Sequence, residues 1–155
     1  MKVSDILRIK GQHGGTLFTI DQMEPLTEAV KIMADKDMGS LLVMGQGNLV
    51  GMLTFREVIR AISQQGGNLA NHTVQSAMDA KPLTCTSETD IDEVRRMMLE
   101  SHARYIPVMD DRLLQGVISF YDVAQSVVES QNFENKMLKA YIKDWPSGTP
   151  DGESK

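Results

Sequence analysis

The sequence predicts an α+β fold of two successive strand-helix-strand-strand-helix (β-α-β-β-α) repeats packed as a pseudo-two-fold pair within 155 residues. Two observations carry that expectation. The first is a strand-to-helix junction that occurs twice, as Gly-Met-Leu-Thr-Phe-Arg-Glu-Val from Gly51 to Val58 and Gly-Val-Ile-Ser-Phe-Tyr-Asp-Val from Gly116 to Val123. In each, an apolar strand end is followed by a hydroxyl, an acid three residues later, and a helical apolar pattern. The second is the register around them. Sliding the chain by 65 positions, the separation of Thr54 from Ser119, sets Thr19 on Thr84, Glu28 on Glu93, Met33 on Met98, Val43 on Val108 and Leu49 on Leu114. An internal repeat constrains every local assignment, and two copies are too few for a solenoid, which leaves a pseudo-symmetric pair.

The elements follow in order. Val3 to Leu7 answers Val74 to Met78 at a shift six residues longer, so the first copy carries extra residues around Lys10-Gly11-Gln12-His13-Gly14-Gly15. A glycine-rich loop can cradle phosphate, but this one lacks P-loop spacing and reads as a plain loop. Phe18-Thr19-Ile20 and Leu83-Thr84-Cys85 are short first strands. Leu26, Ala29, Val30 and Met33 form a helical apolar stripe, answered by Ile91, Val94, Met97 and Met98. Ser40 to Met44 is an apolar strand that turns at Gly45-Gln46-Gly47-Asn48 into Leu49 to Leu53. Tyr105 to Met109 turns at Asp110-Asp111-Arg112 into Leu113 to Ile118, with the two aspartates as turn residues. Pro107 has no N–H and so expects an edge or strand-start position.

Phe55, Val58, Ile59 and Ile62, then Phe120, Val123, Ala124, Val127 and Val128, mark the closing helices. Phe133, Met137, Tyr141 and Ile142 suggest one more. The organisation expected is repeat one over 1–62, a linker over 63–72, repeat two over 73–130, a C-terminal helix over 131–145 and a disordered tail over 146–155.

Composition excludes several classes. The net charge of −5 shows no basic block, which argues against nucleic acid or an anionic membrane as partner. The single cysteine, Cys85, forbids an internal disulfide and fits a reducing compartment. Asp5 stands where a signal peptide needs its apolar run, and no apolar stretch approaches the ~18 residues of a spanning helix. A cytoplasmic protein is expected. His13, His72 and His102 lack metal-ligand spacing, Cys85 has no cysteine partner, and no nucleophile elbow or kinase signature occurs. No catalytic or metal residue is therefore assigned.

The doubled Gly-apolar-apolar-Ser/Thr-x-x-acid junction, the repeat around it, and Ile106-Pro107-Val108 resemble a tandem pair of cystathionine β-synthase (CBS) domains, a Bateman module. The resemblance covers roughly residues 1–130 and implies a stand-alone protein of this kind. It also implies two clefts related by the pseudo-dyad that bind adenine-containing ligands: AMP, ADP, ATP, S-adenosylmethionine or a dinucleotide such as NAD. The junction acid would take ribose hydroxyls, the hydroxyl and helix N-terminus would face phosphate, and adenine would lie against the opposite copy. On that basis cleft one, the favoured one, combines Ser119 and Asp122 with Thr19, Ile20, Met38, Gly39 and Ser40. Cleft two combines Thr54 and Glu57 with Thr84, Cys85, Ala103, Arg104 and Pro107.

A helix N-terminus with unpaired N–H groups is an anion site, and a carboxylate one turn in can accept from a ribose diol. Ser/Thr-x-x-Glu before an apolar run is equally a capping box. Thr54 and Glu57 match that box, whereas Asp122 is shorter than the box asks and favours ligand. Arg56 and Arg104 are either phosphate partners or solvated surface residues.

The function expected is a non-enzymatic sensor that acts in trans on another protein, as a homodimer. Val123, Val127 and Val128 could serve that contact or the core. The alternative is a ligand-free dimerisation or interaction scaffold, docking through Phe133 to Ile142. A small enzyme would need a nucleophile or metal site that the sequence does not display.

Overall fold

The computed structural model describes residues 1–12 and 17–143. The chain divides into two units, Met1–Phe120 and Tyr121–Lys155. His13, Gly14 and Gly15 of the expected loop, and the expected tail over 146–155, lie outside the described residues.

The first unit begins with helix α1 (Val3–Gln12). Strand β1 (Thr19–Asp21), helix α2 (Leu26–Lys36) and the strands β2 (Ser40–Gly45) and β3 (Asn48–Thr54) follow, closed by helix α3 (Phe55–Gln64). A four-residue helix α4 (Val74–Ala77), helix α5 (Ile91–Ser101) and the strands β4 (Tyr105–Asp110) and β5 (Leu113–Ser119) complete it. Helix α6 (Phe120–Lys143) carries the chain into the second unit.

The predicted stripes are the buried faces on α2 and α5 but not on α3, where Phe55, Ile59 and Ile62 are exposed and Glu57, Val58 and Ala61 are buried. Leu26, Ala29 and Met33 are buried on α2, and Ile91, Val94 and Met98 on α5. Both helices end on a left-handed residue, Asp37 at φ 53° and His102 at φ 59°, which are equivalent in the repeat. The β2–β3 and β4–β5 hairpins are antiparallel, with equivalent bulges at Val43/Met44 and Val108/Met109.

The two sheets differ in one respect. In the first, β1 runs parallel to β2 in the order β1-β2-β3, with Thr19 opposite Leu42 and Ile20 opposite Val43. In the second, the strand expected at Leu83-Thr84-Cys85 contracts to a single parallel bridge between Cys85 and Val108. Leu42 N–H donates to the carbonyl of Phe18 at 3.1 Å, and the equivalent of Leu42 is Pro107, which has no N–H to give. One ladder bond is lost there. At the other end Gln22 N–H donates to Met44 O at 2.9 Å, whereas Ser87 N–H turns to Asp110 Oδ1 at 3.0 Å. Ser87 Oγ also donates to Asp110 Oδ2 at 2.6 Å, and these two bonds hold the Asp110 carboxyl below its ordinary pKa. Asp110 ends β4 and anchors Ser87, a larger role than the turn residue expected.

The repeats exchange their leading segments. Val74 belongs to the first repeat's core with Leu26, Met33, Leu53 and Val58. It is fully buried, a placement that stabilises by about 1.5–3 kcal/mol for an aliphatic side chain. In the equivalent place Val3 N–H donates to Thr89 O and Ile91 N–H donates to Met1 O, tying α1 to the second repeat. Glycine permits both crossings. A Cβ at Gly51 would lie 2.6 Å from Met78 Sδ and 2.7 Å from Asp79 O, and one at Gly116 would lie 3.0 Å from Leu7 Cδ2.

Three boundaries move. The helix α1 takes in Lys10 and Gly11, where a loop was expected, because Lys10 Nζ donates to Val117 O at 2.8 Å and holds the helix end. The helix α3 extends through Gln64, two residues into the expected linker. The expected break at 130/131 falls inside the continuous helix α6, since no glycine or proline interrupts residues 120–143. No described helix is long and apolar enough to cross a membrane.

Candidate functional site

The loops that follow α5 and α4 meet the β3–α3 junction in the first unit and enclose a cavity of about 360 Å³. That is within the size range of small-molecule sites. Repeat one contributes Gly39, Met52 and the run Thr54 to Glu57; repeat two contributes Asp79, Lys81 to Leu83, Ser101 and Ala103 to Tyr105.

The junction is built as a capping box. Glu57 Oε1 accepts from Thr54 N–H at 2.8 Å and from the Thr54 hydroxyl, and Thr54 Oγ1 accepts from Arg56 N–H at 3.2 Å. The α3 N-terminus is thus organised before any ligand arrives. Glu57 is a buried charged residue, 8% exposed. Its burial is compatible with the charge because two donors point at one carboxylate oxygen.

Across the cavity, Met52 and Asp79 exchange main-chain bonds of 3.0 and 2.9 Å, fixing the second repeat's leading segment against β3. Asp79 Oδ1 accepts from Lys81 N–H at 3.0 Å and turns the chain so that Lys81, Pro82 and Leu83 form one wall. Arg56 reaches between repeats: its Nη2 donates to the carbonyl of His102 at 2.8 Å. Gly39 admits Tyr105, whose hydroxyl occupies the place a Cβ there would take. An aromatic ring, apolar Met52 and Leu83, and the cations Arg56, Lys81 and Arg104 therefore share one concavity.

Of the residues assigned to cleft two, Thr54, Glu57, Ala103 and Arg104 line this cavity. Thr84 is exposed outside its lining, and Cys85 and Pro107 are buried in the second sheet. Burial, with the nearby Asp110 charge, pushes the Cys85 thiol up to about 11. Gly39, assigned to cleft one, stands in the wall of this cavity instead, because Tyr105 of the other repeat packs onto it. Ser40 is buried opposite Thr54 in the β2–β3 register, Thr19 and Ile20 lie in β1, and Met38 follows the α2 cap. Ser119 ends β5 opposite Tyr105, and Asp122 stands in the first turn of α6, in the second unit.

Sequence reasoning missed Met52, Phe55, Asp79, Lys81, Pro82, Leu83, Ser101 and Tyr105. A signal existed for Asp79 alone, since it directly follows Val74 to Met78, the segment at the longer shift.

Residues 15–64 and 74–129 each match the CBS domain family. The mitochondrial CBS domain-containing protein CBSX3 of Arabidopsis thaliana is 31% identical over 147 residues, 91% of this chain and 71% of its own. A solved CBS-domain protein from Burkholderia ambifaria superposes with a TM-score of 0.78 at 31% identity, over 84% of this chain and 96% of its own. The structure of CBSX2 in complex with AMP shares the fold, with a TM-score of 0.68 at 20% identity, over 84% of this chain and 98% of its own.

Proposed function

The chain belongs to the CBS-domain family, and on that premise we propose that it is a non-enzymatic sensor binding an adenine-containing ligand in the cavity at the β3–α3 junction. Its family makes it a CBS-domain regulatory module. The observation that carries the ligand reading is the cavity itself, about 360 Å³ and lined from both repeats. An aromatic and aliphatic wall suits a purine, the capped helix N-terminus suits an oxyanion, and Glu57 suits a ribose diol. The AMP held by CBSX2, a protein of the same fold, supports the same ligand class.

A ligand spanning both walls favours whichever arrangement of the repeats closes them, and its effect equals its difference in affinity for the two arrangements. Arg56, already bonded across the repeats to His102, is part of that joint. The output acts in trans, on a second, regulated protein. A homodimer in the cytoplasm is the assembly and setting proposed, without nucleic acid or membrane as partner.

Thermal denaturation with AMP, ADP, ATP, S-adenosylmethionine and NAD tests the sensor. At ~100 times its dissociation constant a ligand stabilises by about 2.7 kcal/mol. No shift with any of them at millimolar concentration would leave the scaffold reading, in which the module only dimerises or docks. One observation favours that alternative: Phe133, Met137, Leu138 and Ile142 on α6 are each more than half exposed.

A further inference from the structure

Helix α6 runs past the family fold. The CBS match stops at residue 129, and the helix continues to Lys143. Every residue from 128 to 140 is exposed, among them Phe133 at 64% and Met137 at 57%. An isolated stretch of that length is a marginal helix in water, so its apolar face calls for a partner. The spacing picks out the face. Ser126, Ser130, Phe133, Met137 and Ala140 follow one another at steps of four and three residues, the seam of a two-stranded coiled coil. The Ser126 hydroxyl already donates to the Val123 carbonyl at 3.1 Å and asks nothing of a partner.

Charge picks out the occupant. Over residues 120–135 the helix carries only acids, Asp122, Glu129 and Glu134, and over 136–143 only the lysines Lys136, Lys139 and Lys143. Glu129, Lys136 and Lys139 have no opposite charge three or four residues away, so the helix does not pair them itself. Glu129 and Lys136 stand well inside α6, where the macrodipole has no hold on them. We propose that this face pairs antiparallel with α6 of a second copy of the chain. This rests on the homodimer reading and assigns its contact. Laid antiparallel, Phe133 meets Ser130 of the second copy and Met137 meets its Ser126, a large side chain on a small one in each layer. The same register sets Glu129, on the flank of the seam, against Lys136 of the second copy, and the two-fold repeats that pair. A parallel pair would stack Phe133 on Phe133 and Ser130 on Ser130, and would face Glu129 with Glu134.

Sedimentation velocity of the full chain over a concentration series tests this. Wild type should be dimeric, and Phe133→Gln and Met137→Gln should each weaken the dimer at least about tenfold. Tyr121→Gln, on the far side of α6 and 72% exposed, should leave it unchanged. Glu129→Lys and Lys136→Glu should each weaken it at least about tenfold by setting like charges together, and the double variant should restore it. All these positions except Met137 and Phe133 are polar or aromatic surface sites, and melting temperatures confirm that every variant folds. A dimer that Glu129→Lys tightens would mean a parallel pair and overturn the proposal. A dimer that none of the α6 substitutions disturbs would overturn it too, and leave the homodimer standing on another surface. A wild-type monomer would overturn both.

Discussion

Arg56 Nη2 stands 2.8 Å from the carbonyl oxygen of His102, so a side chain from the first turn of α3 closes the C-terminal end of α5 in the other repeat. A cation at a helix C-terminus is worth about 0.3–1 kcal/mol when exposed. Arg56→Met should therefore lower the urea-unfolding free energy by about 0.5–1 kcal/mol with the m-value unchanged. Amide exchange in the last turn of α5 should quicken in the same variant. A change confined to α3 would mean that the contact holds nothing together.

One of the two differences that leave repeat two without its first strand is the amide that Pro107 lacks, and replacing Pro107 should expose its share. In Pro107→Ala the new amide at position 107 can donate to the Leu83 carbonyl, as Leu42 does to Phe18. Hydrogen exchange by NMR should show that amide protected. Stability should change by less than about 1 kcal/mol, because one net hydrogen bond is offset by the looser unfolded chain. Fast exchange at position 107 would show that something else keeps the strand short.

The two crossings are alike in place and unequal in tightness. Gly51→Ala drives a methyl to 2.7 Å from a main-chain oxygen, that of Asp79, which cannot swing away. Gly116→Ala meets only the tip of Leu7 at 3.0 Å. Thermal or urea unfolding should show the first costing about 2–3 kcal/mol and the second about 1 kcal/mol or less, since overpacking is relieved where a flexible end can move. The opposite order would contradict the exchange of leading segments as described.

Cys85 should make stability fall on the alkaline side. Its folded-state pKa, about 11, is raised above that of an unfolded thiol, about 8.5. The contribution is fully present below the unfolded value and is lost as pH rises through the folded one. Relative to Cys85→Val, wild type should keep a constant stability difference up to about pH 8 and lose ground between about pH 8.5 and about pH 11. A flat difference across that window would place the thiol in water.

Much of the fold was legible because it is written twice. The Gly51/Gly116 and Thr54/Ser119 pairs set a register that the helices, hairpins, bulges and left-handed caps all obey. The capping box at Thr54 and Glu57 was legible for the same local reason: its partners are three residues apart. What could not be read was set by packing between copies. Pro107 signalled an edge, but its effect falls on Leu83 in a distant segment. Tyr105 looked like a strand residue, and its place over Gly39 depends on how the two repeats meet. Lys81 belongs to no apolar period, so only the folded chain shows it beside Arg104 and Thr54.

The most direct test of the account is to follow backbone amides of the isotope-labelled protein by NMR while AMP is added. The predicted result is that the largest shifts fall on Gly39, Thr54 to Glu57, Lys81 and Ala103 to Tyr105, the wall of the cavity. Shifts gathered instead at Thr19, Ile20, Met38, Ser119 and Asp122, or no shifts at all, would contradict it.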